Sequence, residues 1–485
     1  MIDNTKQNEE RLNGAGASAA ELITEQTYSV MRVRTESLLE SRLDLRGAPT
    51  LSFAASPNDP VCCAMSFSES ARGCTLTVHV ADVTEFSEPG TPLDAAAKET
   101  GEGTPGEKYL FPPILINETF NLVPGEDRPA LSVILDFNAD GDVTGVSFDE
   151  SVVRVDRCCL FSEIDALEMN GDSSAVMELR RKYSPCVPLI DGLYALAARL
   201  RAQRRELGGM VMPKYETRFN YNDNARPVSF TRAPEPDSRA MLRELLIFAG
   251  AALGEHCRRE RYPVMYTARR YYPRPFLKKL SAAFGLDVIL PQVGFNEVST
   301  LCEAASGAGF EPVLADELRL YMPPRYYTAE PAFNSISGTK TTVSFTKPTL
   351  RYADMENHRT LKHIISARRK GLVGANATFE ERFLDNSLRA ALKQSVAATA
   401  PAMSRISELA AQHRTSEELE KRALLLSSGS FVRGYVYELR GSVYRILLEN
   451  NVCVPYRGDA GLLPRRSICE MRYVRTSRKE FVELF

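Results

Sequence analysis

Several features that would assign this sequence of 485 residues to a membrane or secreted class are missing. It has no run of about 18 apolar residues, so we expect no membrane-spanning helix. Its first residues, MIDNTKQNEERLNG, lack the apolar core of a secretory signal. We therefore expect an intracellular protein, cytoplasmic or mitochondrial, that is not secreted.

An excess of basic charge and the spaced cysteine pairs of a zinc site are also missing. The formal net charge is -2, which argues against wrapping nucleic acid by bulk positive charge, so any nucleic-acid contact must come from local patches. The ten cysteines include no CxxC pair from which a zinc site could be built. We interpret them as reduced, intracellular thiols.

The pattern of apolar residues predicts a tail, a mixed domain and a small barrel. Residues 1–30 are polar and small, with structure expected from about Tyr28. Strand-like runs such as TLTVHVADV continue to about residue 160, interrupted at 98–108 by KETGEGTPGEK, which predicts an exposed loop. Helical periodicity is found in IDGLYALAARLRAQRREL, RAMLRELLIFAGAALGEHCRRER, MENHRTLKHIISARRKG and SRISELAAQHRTSEELEKRALLL. Short strands return near the end, which is typical of a barrel.

The segment DFNADGDVTGVS superficially fits a calcium-binding loop. Acidic and amide side chains occupy suitable positions, but Ser147 stands where a bidentate glutamate is needed. We therefore expect a hairpin turn at Asp140 and Gly141.

Longer motifs resemble one known family. The run DLRGAPTLSFAASPNDPVCCAMSFSE, followed by LTVHVADVTEFSEPGTPLDAAA, resembles the start of the catalytic domain of ribonuclease II (RNB) exoribonucleases, where a DLR element leads into an aspartate-rich metal loop. RPALSVILDFNADGDV, MLRELLIFAGAALGEH with PVMYTARR, and FTKPTLRYADMENHRTLKH follow in the family's order. The end of the chain resembles the family's S1 barrel.

This resemblance implies a fold class and a domain order. We expect a mixed α/β (α+β) RNB-type domain over residues 31–423, with helices packed on mixed sheets. A C-terminal β-barrel of the OB or S1 type should follow over residues 424–485. The family's activity is 3′ to 5′ degradation of single-stranded RNA with bound magnesium.

The sequence departs from the family where the metal is held. Our alignment places Ala54, Pro60, Cys62 and Cys63 at the four metal-binding aspartates. Magnesium requires hard oxygen ligands, and thiolates suit softer metals. Asp59 stands nearby, but a single carboxylate beside a proline is better explained as a turn residue. We therefore expect no catalytic residues, no metal and no cofactor.

A second departure concerns the arginine that stabilises phosphoryl charge in the family's S-P-I-R-R-Y element. The matching run here is KPTLRY, in which Lys347 replaces the serine and Leu350 replaces the first arginine. Arg351 and Tyr352 are retained. Leucine cannot donate a hydrogen bond to an oxyanion, and losing one such donor typically costs roughly two to three powers of ten in rate.

Further residues are candidates for RNA contact. In the main domain, Tyr109 resembles a family tyrosine that stacks on RNA, Glu244 an acid that helps seat the terminal nucleotide, and Tyr266 a residue of the channel. Core packing is the alternative for Tyr109, and Arg243 replaces an acid beside Glu244. Lys347, Arg351 and Tyr352 complete the set.

The barrel contributes aromatic and basic residues in alternation. These RNA-binding candidates are Arg433, Tyr435, Tyr444 and Arg445, with Tyr437 between them. A charged, solvated face that docks protein is the alternative.

The sequence thus predicts a pseudoenzyme, a catalytically inactive RNB-family protein. It would act as an RNA-binding or structural subunit of a ribonucleoprotein assembly or RNA-processing complex. Its expected partners are RNA and protein subunits of that complex, without a membrane. One alternative is a protein-docking scaffold or assembly factor without RNA contact. Another is a divergent 3′ to 5′ exoribonuclease that acts on single-stranded RNA.

Overall fold

The chain forms two compact units in a computed structural model. This structure describes residues 39–104, 106–168, 173–286, 296–308, 310–371, 379–440, 443–463, 468–477 and 479–484. The first unit contains the described residues up to Gln203 together with Pro236–Ala268 and Arg325–Ser407. The second contains Arg204–Glu235, Arg269–Pro324 and the described residues from Glu408 onward. The predicted tail and the predicted start near Tyr28 lie outside the described residues.

A seven-stranded mixed sheet forms the centre of the first unit. Its strands are β1 (Leu43–Asp44), β2 (Thr50–Ala54), β3 (Cys63–Ser70), β4 (Gly73–Ala81), β5 (Asp127–Asn138), β6 (Val143–Arg154) and β7 (Arg157–Leu160). Their order is β1-β6-β5-β4-β3-β2-β7. The central pairs are antiparallel, while β1 with β6 and β2 with β7 are parallel.

Helices surround this sheet and also form part of the second unit. In chain order they are α1 (Pro92–Thr100), α2 (Phe161–Glu168), α3 (Ser174–Tyr183), α4 (Val187–Glu206), α5 (Asp237–Arg259), α6 (Arg274–Ala283), α7 (Asn296–Ala308), α8 (Glu311–Leu320), α9 (Tyr352–Arg369) and α10 (Phe379–Leu424). None of the described helices is both long and apolar enough to cross a membrane. The four helical patterns found in the sequence correspond to α4, α5, α9 and the later part of α10.

The main core lies between one face of the sheet and helices α4 and α5. Alternate residues of β3, β4 and β5, such as Met65, Val78 and Val133, are buried against Leu193 of α4 and Leu245 of α5. This arrangement follows from the two periodicities in the sequence, because alternate strand residues and every third or fourth helix residue share a face.

The segment considered as a calcium loop is the turn between β5 and β6. Gly141 has a φ of 86°, a conformation that suits glycine, and its N–H donates to Asn138 O at 3.0 Å. The side chain of Asn138 accepts from the backbone N–H of Asp142 at 2.8 Å. These contacts confirm the predicted hairpin.

The second unit contains a five-stranded barrel. Its strands are β12 (Phe431–Arg440), β13 (Val443–Leu448), β14 (Cys453–Pro455), β15 (Ile468–Arg475) and β16 (Glu480–Leu484), paired in the order β14-β13-β12-β15-β16. A parallel bridge between Tyr456 and Val482 closes the sheet, which is the OB-type arrangement. The predicted fold class is confirmed.

The remaining strands are β8 (Tyr215–Tyr221), β9 (Pro227–Pro234), β10 (Tyr266–Arg269) and β11 (Arg325–Thr328).

A buried carboxyl group joins the barrel to α8 within the second unit. Glu317 is 1% exposed and accepts hydrogen bonds from the hydroxyl of Tyr437 at 2.9 Å and the amide of Asn451 at 3.0 Å. Burial, reinforced by the neighbouring charge of Asp316, raises the pKa of Glu317 to about 7. The folded chain therefore keeps a proton that the unfolded chain releases near pH 4.5.

Because Glu317 binds its proton more tightly in the folded chain, the stability of the chain should depend on pH. As the pH rises from about 4.5 to about 7, the free energy of unfolding should fall by up to about 3 kcal/mol, because the unfolded chain loses this proton and the folded chain keeps it. Above the pKa of Glu317 in the folded chain, the free energy of unfolding should fall no further for this reason. The variant Glu317→Gln should lack this fall and be more stable than the unmodified chain at pH 7.5. Urea unfolding between pH 4.5 and 7.5 measures the difference. Glu470→Gln, at an exposed position on β15, is the matched control and should keep the fall.

Candidate functional site

Two segments that lie far apart in the sequence meet in the first unit. One runs from the end of β2 to the start of β3, and the other precedes α9. They are joined at Cys62, whose thiol donates to the carbonyl oxygen of Thr346 at 3.9 Å and accepts from the hydroxyl of Thr349 at 3.5 Å. The structure therefore brings together the segments that resemble the family's metal loop and its arginine element.

The side chains at the four positions aligned with metal-binding aspartates offer no oxygen ligand. Ala54 is buried in the sheet and Pro60 is partly buried. Burial raises the pKa of the thiols of both Cys62 and Cys63, so both are protonated at neutral pH. Magnesium binds hard oxygen donors, and metals bind cysteine as the thiolate. This donor set does not fit magnesium.

Asp59 forms hydrogen bonds within the turn in which it lies. Its side chain is exposed, and Oδ2 accepts a hydrogen bond from the backbone N–H of Ser56 at 2.9 Å. The backbone N–H of Asp59 donates back to Ser56 O at 3.1 Å. This geometry agrees with the interpretation of Asp59 as a turn residue.

A cluster of carboxylates elsewhere in the first unit is already neutralised. Among the described residues, Asp82, Glu85 and Glu150 lie close enough together to share a metal ion. Lys362 Nζ lies 2.8, 2.6 and 3.5 Å from them, and Arg42 Nη2 lies 2.7, 3.3 and 3.8 Å from them. Burial alone would raise the pKa of Asp82, but Lys362 and Arg42 hold it below its ordinary value. We interpret this cluster as a structural ion network.

Cations gather beside the thiols. Arg351 precedes α9 as its N-cap residue, and its Nη2 donates to Asp354 Oδ2 at 2.8 Å. Arg325, at the start of β11, pairs with Glu102 at 2.8 Å. Lys347 is exposed, yet desolvation by the surrounding protein and repulsion from Arg351 lower its pKa. The ammonium of Lys347 is therefore accessible to solvent and partly desolvated by its neighbours.

The other candidates of this unit are less accessible. Tyr109 is partly buried, with its hydroxyl 3.4 Å from the N–H of Gly106. Tyr352 is 3% exposed and donates its hydroxyl to Asp94 Oδ1 at 2.8 Å. Tyr266 and Glu244 are each 3% exposed. The expectation that Tyr266, Glu244 and Tyr352 contact RNA is therefore corrected, because these side chains belong to the core.

The barrel residues also differ from expectation. Tyr435 is 3% exposed, because its ring lies 4.6 Å from the ring of Phe284 and 5.9 Å from that of Phe310. Tyr437 is 9% exposed, with Lys279 Nζ 3.9 Å from its ring centre. Helices of the second unit cover this face of β12, so bases cannot stack on Tyr435 as expected.

The remaining barrel candidates lie nearer the surface. Arg433 is exposed, with its Nε 3.5 Å from a carboxylate oxygen of Glu449. Arg445 is partly buried and donates to the carbonyl oxygen of Cys453 at 2.7 Å. Tyr444 packs partly against the barrel core. Of the four barrel candidates, counting the buried Tyr435, Arg433 is the residue best placed for a phosphate contact.

Sequence reasoning missed three residues of the site. The predicted exposed loop at 98–108 instead places Glu102 in a backbone bridge with Arg351, and Gly103 N–H donates to Leu350 O at 2.8 Å. Arg325 comes from a strand that carries no motif. Asp354 follows Arg351 by three residues at a helix start, a spacing that could have identified the pair.

Comparison with known proteins identifies the family. Residues 42–367, more than half of the chain, match the RNB domain. Ribonuclease R of Escherichia coli (strain K12) is 24% identical over 347 residues, which make up 68% of this chain. The chain spans only 41% of the length of that relative.

Solved structures show the same fold. RNase R of Mycoplasma genitalium, in complex with ribose methylated single-stranded RNA, has a TM-score of 0.73 at 17% identity, covering 93% of this chain and 73% of that one. Yeast Ssd1, described as a pseudonuclease, has a TM-score of 0.58 at 15% identity, covering 91% of this chain and 54% of that one. The domain match, the motifs in their order and the shared fold agree, and the chain belongs to the RNB family.

Proposed function

We propose that this chain is a catalytically inactive RNB-family protein that binds single-stranded RNA as a subunit of a ribonucleoprotein or RNA-processing complex. One observation carries this proposal. Ala54, Pro60 and two protonated thiols stand where the family has metal-binding carboxylates, and the cations Lys347 and Arg351 lie beside them.

The absence of catalysis follows from the chemistry of phosphodiester cleavage. A magnesium ion neutralises charge on the attacking and leaving oxygens, and this donor set does not hold one. A positioned arginine further stabilises phosphoryl charge, but Leu350 stands there and is 9% exposed. The missing metal ligands and the missing arginine both leave the same developing charge on the phosphate without stabilisation.

RNA binding without metal is favoured by the charge at the site. Beside a phosphate backbone, unoccupied aspartates would repel RNA, whereas neutral thiols do not. Lys347 adds positive charge at the same place, beside the ion pair of Arg351 and Asp354. The complex of Mycoplasma genitalium RNase R with RNA supports the general use of this fold for RNA.

A protein-docking scaffold is the second candidate function. The burial of Tyr435 and Tyr437 favours it, because the barrel then lacks the aromatic platform on which bases stack. The formal net charge of -2 is also compatible with a protein partner.

Binding of a fluorescent single-stranded oligonucleotide, followed by anisotropy, tests the proposal. The dissociation constant should agree within about twofold between buffers with EDTA and with magnesium, and it should rise with salt as phosphate contacts are screened. Release of RNA by EDTA would contradict metal-free binding. If no RNA binds at any salt concentration, the scaffold function replaces the proposed one.

A further inference from the structure

Lys347 stands out because it is an exposed cation in a site where other charges are paired. We propose that Lys347 and Arg351 form a phosphate-binding subsite, in which the lysine ammonium supplies the positive charge that a metal ion supplies elsewhere in the family. This inference rests on the proposed function and names the group that is bound. The expected occupant is a phosphodiester of the RNA backbone.

The balance of charge points to an anion. Three cations (Lys347, Arg351 and Arg325) face two acids (Asp354 and Glu102) at this site. Arg351 pairs with Asp354 at 2.8 Å, and Arg325 pairs with Glu102 at 2.8 Å. Within the described part of the chain, Lys347 forms no ion pair with a carboxylate. One positive charge is therefore left over.

An unused hydrogen-bond donor points the same way. Among the described residues, Arg351 Nε is buried and has no hydrogen-bond partner. The side chain of Asp354 is 0% exposed, and its Oδ2 fixes Arg351 Nη2 and the backbone N–H of Lys347, each at 2.8 Å. A buried donor without a partner is costly, and an incoming phosphate oxygen would satisfy Arg351 Nε.

The thiols favour an anionic ligand because they are neutral. Burial raises the pKa of Cys62 and Cys63, so neither competes as an anion for the ammonium. Aspartates at these positions would neutralise Lys347 internally and leave nothing for a ligand. The replacement of aspartate by cysteine and of serine by lysine thus changes the site in one consistent direction, from binding a cation to binding an anion.

Substitution of Lys347 tests the subsite on the full chain. Lys347→Met should weaken binding of a labelled single-stranded oligonucleotide about ten- to a hundredfold, as expected for a hydrogen bond between charged groups. Lys347→Arg should restore most of the affinity because it restores the charge. Lys340→Met removes an exposed lysine of the same unit that lies outside the site, and it should change affinity by less than about twofold.

Chemical labelling of the unmodified chain gives a second readout that needs no variant. Acylation of each lysine is followed by mass spectrometry, with inorganic phosphate, the oligonucleotide or a polyglutamate peptide present. Phosphate and RNA should both protect Lys347 relative to Lys340, and polyglutamate should protect it less.

The outcomes separate the subsite from the proposed function. If Lys347→Met binds RNA as tightly as the unmodified chain, or if RNA binds without protecting Lys347, the subsite is wrong and RNA binding stands. If inorganic phosphate protects Lys347 while no RNA binds, the subsite stands and the proposed function is wrong. Protection by polyglutamate but not by phosphate would overturn the assignment to phosphate.

Discussion

The substitution Lys362→Met should destabilise the first unit by about 3–5 kcal/mol, the usual cost of leaving a buried charge without its partner. Lys362 and Arg42 together hold three carboxylates, and Asp82 is among them with a fully buried side chain. With Lys362 removed, Arg42 would be left to balance both Asp82 and Glu85. Glu150 would keep its ion pair with Arg369 at 2.8 Å. The free energy of unfolding in urea, followed by circular dichroism, measures the loss.

Two further variants make this result specific. Lys370→Met removes an exposed lysine at the end of α9 and should change stability by less than about 0.5 kcal/mol. Adding Glu85→Gln to Lys362→Met should recover part of the loss, because it restores the balance of charge. Equal stability of Lys362→Met and Lys370→Met would contradict the interpretation of a buried ion network.

Restoring aspartates at positions 54, 60, 62 and 63 should leave RNA hydrolysis undetectable. Leu350 would still be unable to stabilise phosphoryl charge, a defect of roughly two to three powers of ten in rate. The ammonium of Lys347 would also pair with the new carboxylates and compete with magnesium for them. Gel analysis of a labelled oligonucleotide measures the rate.

The control for this variant restores the second element as well. Adding Lys347→Ser and Leu350→Arg rebuilds the family's pattern and should recover more activity than the four aspartates alone. Magnesium-dependent shortening by the variant with four aspartates alone would show that Lys347 and Leu350 do not limit catalysis.

The fold was predictable from the sequence because local patterns and motifs agreed. Helical periodicity identified α5 and α9 closely, and alternation identified β4 and β5. The family resemblance implies that the segments around Cys62 and Lys347 belong to one active site, and in the structure Cys62 contacts Thr346 and Thr349. Periodicity was less informative for α10, which begins at Phe379 and continues through Pro401.

Contacts between distant segments were not predictable from local pattern. The alternation of basic and aromatic residues in β12 suggested a solvent-facing platform, but Phe284 and Phe310 cover Tyr435. Nothing near Tyr435 in the sequence indicates that these residues lie against it. Arg325 was not identified from the sequence for the same reason. It lies in a strand that carries no motif, and only the fold places it beside Glu102.

RNA should be bound by the chain and left intact, and one assay tests both outcomes. A labelled single-stranded oligonucleotide is incubated with the full chain at physiological magnesium, with an active RNB-family enzyme as positive control. Part of each sample is examined by anisotropy and part on a denaturing gel. We expect the RNA to be bound and to remain at full length. Progressive shortening that requires magnesium and stops with EDTA would contradict it.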